Sequence, residues 1–144
     1  FVMLIASGYA TVIRATGAVD QLVESAFNML GGSKLAGSTI MILLGLLITM
    51  VIVTSFGTVP VIAAIYVPLS LKLGFSPAAI VFMIAVAAAL GDAGSPASDT
   101  TLGPTAGLNA DGQHDHIWDT CVPQFICYDI PLMVVGIICP LFMN

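Results

Sequence analysis

Long apolar tracts separated by short polar segments make up most of the chain. The longest tract, residues 35–71, carries no charge. As one straight helix it would reach about 55 Å, whereas the hydrocarbon core of a bilayer is about 30 Å thick. The pattern therefore predicts a break, placed at residues 54–60 ("TSFGTVP") by Gly57 and Pro60. The arm after it is too short to cross alone, so a re-entrant hairpin or a discontinuous helix is expected.

A second break is predicted at residues 91–101, "GDAGSPASDTT". Ser76 is a suitable N-cap and Pro77 a suitable first residue for a helix over residues 77–90. That helix would reach about 21 Å, which is less than the thickness of the hydrocarbon core. The polar stretch after it is therefore expected inside the membrane, with Gly91, Gly94 and Pro96 shaping the break.

The ends of the chain differ from its centre. Residues 1–34 are expected to hold the end of a membrane helix and an amphipathic interfacial helix, the latter with one apolar face and ending at Gly31 and Gly32. Residues 35–108 form the region with both breaks, residues 109–120 a polar loop, and residues 121–144 the last membrane helix. The apolar face of the predicted amphipathic helix consists of Val19, Leu22, Val23, Ala26, Phe27 and Leu30.

Composition supports an all-α integral membrane protein. Of 144 residues, 58% are hydrophobic and 8% are charged, against about 25% charged in a typical soluble domain. Only three residues are basic and the net charge is −5, so there is no basic patch for a nucleic acid. The three cysteines suit apolar packing. Because the chain begins without Met inside an apolar segment, it is expected to be part of a longer transporter.

The two breaks carry the candidate chemistry. Broken helices at membrane depth form the substrate and ion sites of many secondary transporters, and carboxylates and hydroxyls are suitable ligands for a hard cation such as Na⁺. A carboxylate that binds either Na⁺ or a proton allows exchange of one for the other. The candidate cation or proton ligands are Asp92, Asp99, Ser95, Ser98 and Thr100. The facing break contributes Thr54, Ser55, Gly57, Thr58 and Pro60.

Each candidate also has a plain structural interpretation. The hydroxyls could cap helices or pack between them, and Asp99 could cap the segment that follows it. Asp129 lies within the last span, as a second acid of the pathway or as a partner of a residue elsewhere in the protein. The "HDH" of His114, Asp115 and His116 is interpreted as a solvated loop rather than a zinc site, with pH sensing left open.

The stretch from Gly91 to Phe125 resembles the signature region of the NhaC-type sodium/proton antiporter family. The matching elements are Gly91-Asp92, Ser95-Pro96, Ser98-Asp99-Thr100-Thr101 and the His-Asp-His of residues 114–116. The closest resemblance is to a branch of sodium/proton antiporters and amino-acid (histidine) permeases. It implies an inverted-repeat fold of the ion transporter superfamily, of which this chain is the C-terminal repeat. It also implies a homodimer in the bacterial plasma membrane and a partner in the N-terminal half of the same protein.

The sequence thus predicts an ion-coupled secondary transporter, foremost a sodium/proton antiporter, that moves Na⁺ and H⁺ and uses no cofactor or other metal. The first alternative is a sodium- or proton-coupled permease for an amino acid or small carboxylate. An intramembrane hydrolase with Ser95 or Ser98 as nucleophile is disfavoured, because no Gly-x-Ser-x-Gly or Ser-x-x-Lys motif is present. A purely structural membrane subunit is also disfavoured, because it would have no use for intramembrane acids. Enzymatic activity is not expected.

Overall fold

The computed structural model describes residues 1–31 and 33–143, so Gly32 and Asn144 lie outside the described residues. The described residues form helices and no strand. Within these described residues, four helical segments are long and apolar enough to cross a membrane: residues 34–52, 55–73, 77–108 and 116–142. The predicted all-α integral membrane class is confirmed. The helices are α1 (Val2–Ala15), α2 (Ala18–Leu30), α3 (Lys34–Ile52), α4 (Ser55–Leu73), α5 (Pro77–Gly94), α6 (Asp99–Leu108) and α7 (His116–Phe142).

The predicted amphipathic helix is α2. Gly17 and Gly31 flank it with φ angles of 71° and 59°, in the left-handed region that glycine adopts readily. Val19, Val23 and Leu30 are buried against the core, whereas Leu22 is exposed. The helix packs on α1 and α4. The amphipathic pattern is confirmed, and a location at the membrane interface stays a prediction.

Helix α3 packs most extensively on α5, along small residues. The Thr49 hydroxyl lies 2.7 Å from the Gly45 carbonyl on its own helix and 2.8 Å from the Ala87 carbonyl on α5. Small residues allow membrane helices to approach closely, and hydroxyls then bond across the contact. This contact holds the end of α5, and with it the second break, against α3.

The first break is shorter than predicted. Only Val53 and Thr54 leave the helical conformation, and Val53 has a φ of 72°. Thr54 caps α4 by accepting a hydrogen bond from the Gly57 N–H at 3.4 Å. Helix α4 therefore begins at Ser55, has 19 residues and reaches about 28 Å. Residues 54–60 do not form an extended break, because the cap restarts the helix and Pro60 is tolerated inside it, as prolines are in membrane helices.

The second break begins one turn later than predicted. Helix α5 runs through Asp92 to Gly94, and only Ser95–Ser98 is non-helical. Gly91 does not unwind the helix. Because it has no side chain, α5 can approach the backbone of α3 closely at this position. Pro96 is the residue that ends the helix, because it disfavours the helical conformation at Ser95, which has φ −73° and ψ 133°.

The last helix begins earlier than predicted. Asp115 caps it by accepting the N–H groups of Ile117 at 2.9 Å and Trp118 at 3.0 Å. The polar loop is therefore limited to residues 109–115, and residues 116–120, assigned to the loop from sequence, are helical. Helix α7 contains two π-helical segments, His116–Cys121 and Phe125–Asp129, which accompany the prolines at 123 and 131 and are frequent at functional sites.

Candidate functional site

The two breaks meet at Ser55 and Asp92. Ser55 is the first residue of α4, and Asp92 lies in the last turn of α5. The Ser55 hydroxyl oxygen is 3.1 Å from Asp92 Oδ2 and 3.1 Å from the Ala88 carbonyl oxygen. The hydroxyl has one proton to donate, so a carboxylate and a carbonyl compete for it. This contact brings the residues next to the two breaks together.

Three hydroxyls cap the carbonyl end of α5. Ser98 donates to the Asp92 carbonyl at 2.5 Å, and Thr100 donates to the same carbonyl. Thr101, which is fully buried, donates to the Ser95 carbonyl at 2.6 Å. A helix end buried in a membrane protein needs such partners. Ser98 and Thr100 therefore have a structural role here, whatever else they bind, and so does Thr101, which belongs to the same Ser-Asp-Thr-Thr motif.

Asp99 is exposed at the start of α6 and borders the same small cavity as Asp92. The cavity encloses about 130 Å³, enough for a partly hydrated ion. Its oxygen-bearing side chains are of the kind that hard cations prefer. In the part of the chain that the structure describes, no cluster of three His, Cys, Asp or Glu side chains forms a resident metal site. The cavity is lined by Val53, Thr54, Ser55, Phe56, Asp92, Ala97, Asp99 and Thr100.

A larger cavity of about 400 Å³ also borders Ser55 and Asp92. Pockets of this size accommodate small organic molecules. The Oε1 atom of Gln124, a lining residue, is buried and has no hydrogen-bond partner among the described residues. Gln124 had no role in the sequence analysis. The cavity is lined by Ser55, Ala89, Asp92, Ala93, Thr100, Gln124 and Tyr128.

Several predicted site residues lie away from both cavities. Thr58 is buried and its hydroxyl donates to the Thr54 carbonyl at 2.6 Å, inside the first turn of α4. Gly57 takes part through its backbone in the Thr54 cap, and Pro60 lies further along α4. Ser95 is buried, and its hydroxyl accepts the Ala97 N–H at 3.4 Å. In this structure these residues shape the breaks rather than line the cavities.

Asp129 is a buried acid on the other side of α5. It is fully buried, and neither carboxylate oxygen has a hydrogen-bond partner among the described residues. It packs against Gly94, where a Cβ would overlap Oδ2. A bare carboxylate in such surroundings is costly, so the site favours a bound proton or cation. Asp129 does not line either cavity at Asp92, which sets it apart from the Ser55–Asp92 pair.

The two histidines are not solvated loop residues, and that interpretation was wrong. Both are half-buried. His116 Nε2 lies 2.5 Å from the Pro96 carbonyl in the second break, and Nδ1 lies 2.7 Å from the Thr105 hydroxyl. His114 Nε2 lies 2.6 Å from the Thr120 hydroxyl. The segment that carries both histidines is therefore connected to the second break by hydrogen bonds between residues far apart in the sequence.

Four apolar segments and a discontinuous helix with a buried acid, Asp129, beside it define a multi-pass integral membrane protein. The chain belongs to the Na⁺/H⁺ antiporter family, whose profile matches residues 1–137. The resemblance inferred from the "GDAGSPASDTT" region is thereby confirmed.

Three proteins are closely similar to the chain in sequence. The protein named "Putative amino acid transporter YuiF" from Bacillus subtilis (strain 168) is 59% identical over 94% of the chain. Uncharacterized membrane proteins from Vibrio parahaemolyticus (57% identical over 94% of the chain) and Haemophilus influenzae (58% over 99%) are similarly close. The aligned parts cover 31%, 31% and 32% of these relatives, so the chain spans about a third of their length. No solved structure matches the chain.

Proposed function

We propose that the chain is the part of an ion-coupled secondary transporter that carries its cation site, and that the whole protein exchanges Na⁺ for H⁺. The observation that carries the proposal is the contact between Ser55 and Asp92, which joins two helix breaks at one small cavity. Membership of the Na⁺/H⁺ antiporter family supports it.

The chemistry rests on competition at one carboxylate. With Na⁺ bound, Asp92 supplies charge and Ser55, Thr54 and Thr100 supply neutral oxygens. A proton on Asp92 removes the charge and with it the main attraction for the cation. Asp99, exposed at the mouth of the same cavity, attracts cations to it electrostatically. One ion therefore leaves when the other binds, which is the requirement for exchange.

The remaining parts of the proposal concern the whole protein. The chain would form the C-terminal repeat of an inverted-repeat fold and pack against the N-terminal half. The protein would be a homodimer in the bacterial plasma membrane. The exposed apolar side chains of α1 and α7, among them Leu4, Tyr9, Ile126 and Val134, would contact lipid or the rest of the protein.

The test is Asp92→Asn in the full-length protein reconstituted into proteoliposomes, with a pH-sensitive dye inside. An outward or inward Na⁺ gradient should move protons in the wild type and should not do so in the variant. Asp111→Asn, in the exposed loop, is the matched control and should behave as wild type. Na⁺-driven proton movement that survives in Asp92→Asn at the wild-type rate overturns the site assignment.

A sodium- or proton-coupled amino-acid permease is the second candidate, and one observation favours it. The cavity of about 400 Å³ combines the Asp92 carboxylate with the unpaired Gln124 Oε1. Both groups accept hydrogen bonds, as the ammonium group of an amino acid requires. A relative bears the name of an amino acid transporter.

The two candidates are separated by uptake of labelled amino acids, histidine first, into the same proteoliposomes. Under the permease proposal uptake depends on the ion gradient and falls in Gln124→Leu, whereas Gln113→Leu in the exposed loop leaves it unchanged. Gradient-driven proton movement with no amino-acid uptake by the wild type excludes the permease.

A further inference from the structure

A continuous chain of side-chain hydrogen bonds links His114 to the second break. His114 Nε2 is 2.6 Å from the Thr120 hydroxyl, which is 2.9 Å from the Thr105 hydroxyl. Thr105 is in turn 2.7 Å from His116 Nδ1, and His116 Nε2 is 2.5 Å from the Pro96 carbonyl. No step is longer than 2.9 Å, so each pair is close enough for a direct hydrogen bond. The chain passes from the loop through α7 and α6 to the segment Ser95–Ser98.

We propose that His114, Thr120, Thr105 and His116 form a proton relay whose state sets how firmly the second break is held. The Pro96 carbonyl only accepts hydrogen bonds, so His116 Nε2 carries a proton in every state. The facing nitrogens, His116 Nδ1 and His114 Nε2, are then joined by two hydroxyls that each donate once. The chain is fully satisfied when one of the two facing nitrogens holds a proton.

The relay has two orders, and in the structure the Thr105 hydroxyl donates to Thr120, as in the second of them. In the first, His114 is charged, with protons on Nδ1 and Nε2: Nε2–H donates to Thr120, Thr120 donates to Thr105, and Thr105 donates to Nδ1 of a neutral His116 ring. In the second, each proton has moved one step along. His114 Nε2 has lost its proton, both hydroxyls have reversed, and His116 Nδ1 has gained a proton. No atom is left without a partner in either order, and no reactant is required beyond the proton itself.

The proton enters and leaves at His114. Its Nδ1 lies 3.9 Å from Asp119 Oδ2, so a carboxylate stabilises the charged ring at the loop end. His114 takes up a proton from water at Nδ1 before it passes on the one at Nε2, so in the second order His114 is neutral and the positive charge resides on His116. Its hydrogen bond to Pro96 then becomes charge-assisted, which makes it roughly twice as strong as a neutral one. The break is held firmly when His116 is charged and more loosely when it is neutral.

Other groups near the relay do not supply a competing route. Asp115 is occupied by the N–H groups of Ile117 and Trp118. Cys121 Sγ is 3.6 Å from His116 Nε2 and is a weak partner compared with the Pro96 carbonyl. Helix α6 contributes one titratable group, Asp99, which is six residues before Thr105 and so about 9 Å away along the helix.

The relay is tested by the coupling of the two rings rather than by transport. Full-length protein with ¹⁵N-labelled histidine is reconstituted into nanodiscs, and each ring is titrated by NMR, with assignments from single histidine variants. His114→Leu should shift the midpoint of His116 by about one pH unit, the size at which two sites titrate as a pair. In a Thr105→Val background the same replacement should shift it little, and in Thr105→Ser the full shift should return.

Thr120→Val and Thr120→Ser form a second pair, in case Thr105→Val does not fold. A His114 effect of equal size with and without the hydroxyls would show coupling through space and overturn the relay. No effect of His114→Leu in otherwise wild-type protein would also overturn it. So would a neutral His116 that carries its proton on Nδ1 instead of Nε2, which the wild-type nitrogen shifts report directly.

Discussion

Gly91 packs directly on the backbone of Thr49. A Cβ added at Gly91 would lie 2.5 Å from the Thr49 carbonyl carbon and 2.6 Å from the Met50 nitrogen. Both are backbone atoms inside α3, so no change of rotamer can make room. Asp92, the next residue along α5, takes its position toward Ser55 from this contact. The close approach of α3 and α5 therefore determines where the candidate site lies.

Gly91→Ala is expected to destabilise the protein by about 3 kcal/mol, the upper part of the usual range for overpacking. Gly37→Ala is the matched control. There the Cβ would meet Leu73 Cδ1 at 2.5 Å, the far end of a flexible side chain. The gain in helix propensity of about 1 kcal/mol should offset much of that smaller strain. Thermal unfolding in detergent compares the two, and equal losses would contradict the argument.

The lengths of the apolar tracts predicted most of the fold. They predicted the amphipathic α2, the last membrane helix and the existence of both breaks, but the arm after the first break was wrongly predicted to be too short to cross, since α4 has the length of a membrane span. The start of α5 at the Ser76 cap and the end of α2 at Gly31 were confirmed, but several other helix ends were wrong, because they depend on individual caps. Thr54 restarts α4 before Gly57 and Pro60 can interrupt it, and Asp115 starts α7 within a polar segment. A Thr or Asp N-cap is visible in the sequence, so closer attention to caps would have placed both ends.

The candidate site was predictable only in part. Polar residues in apolar tracts identified Asp92 and Ser55 as candidate site residues. The short helix before Asp92 predicted that the second break lies inside the membrane. The histidine contacts were missed because they arise from tertiary structure: Pro96 and His116 are 20 residues apart. Gln124 was missed because one amide in a helix carries no periodic signal. Its significance comes only from the cavity it lines.

Ser55→Ala should weaken the dependence of transport on Na⁺ without abolishing it. A hydrogen bond to a charged group contributes about 1.5 kcal/mol or more, so the Na⁺ concentration for half-maximal transport should rise roughly 10-fold. Ser55→Thr keeps the hydroxyl and should remain near wild type. Rates in proteoliposomes over a series of Na⁺ concentrations provide the measurement.

Ser38→Ala is the control for general destabilisation in that experiment. Ser38 is fully buried and donates to the Ile137 carbonyl at 2.8 Å, but it does not line either cavity at Asp92. The Ser38→Ala variant should have lower thermal stability, while the dependence of its transport rate on the Na⁺ concentration should be unchanged. A Na⁺ dependence that shifts as much in Ser38→Ala as in Ser55→Ala would remove the argument for a ligand role.

Asp115 should make the stability of α7 depend on pH in the acid range. The N–H groups of Trp118 and then Ile117 hold the pKa of Asp115 below its usual value, with smaller help from His114 and His116. Because the folded pKa is the lower one, the carboxylate stabilises the fold above the unfolded pKa of about 3.9. This contribution is lost as the pH falls from there through the folded pKa.

Asp115→Asn keeps a capping oxygen but removes the charge. Its melting temperature should lie below that of wild type at pH 7, and the difference should disappear as the pH is lowered below about 4. Asp20→Asn, on the exposed side of α2, controls for the loss of one negative charge. A difference between Asp115→Asn and wild type that persists unchanged at low pH would show that the effect is not electrostatic.

Thr101→Val should destabilise the second break. The buried Thr101 hydroxyl donates to the Ser95 carbonyl at 2.6 Å, and Val has nearly the same shape without the donor. The Ser95 carbonyl then keeps only the Ser98 N–H, at 3.2 Å, and the loss of one buried hydrogen bond costs about 0.5–1.5 kcal/mol. Thr101→Ser keeps the donor and loses one methyl group, at a cost of about 0.8 kcal/mol, so the comparison with an exposed hydroxyl is the decisive one. Thr39→Val removes a hydroxyl that donates to the Leu35 carbonyl at an exposed position and should have little effect. Unfolding of the purified protein in detergent ranks the three, and a Thr101→Val variant as stable as Thr39→Val would show that this hydroxyl does not hold the carbonyl end of α5.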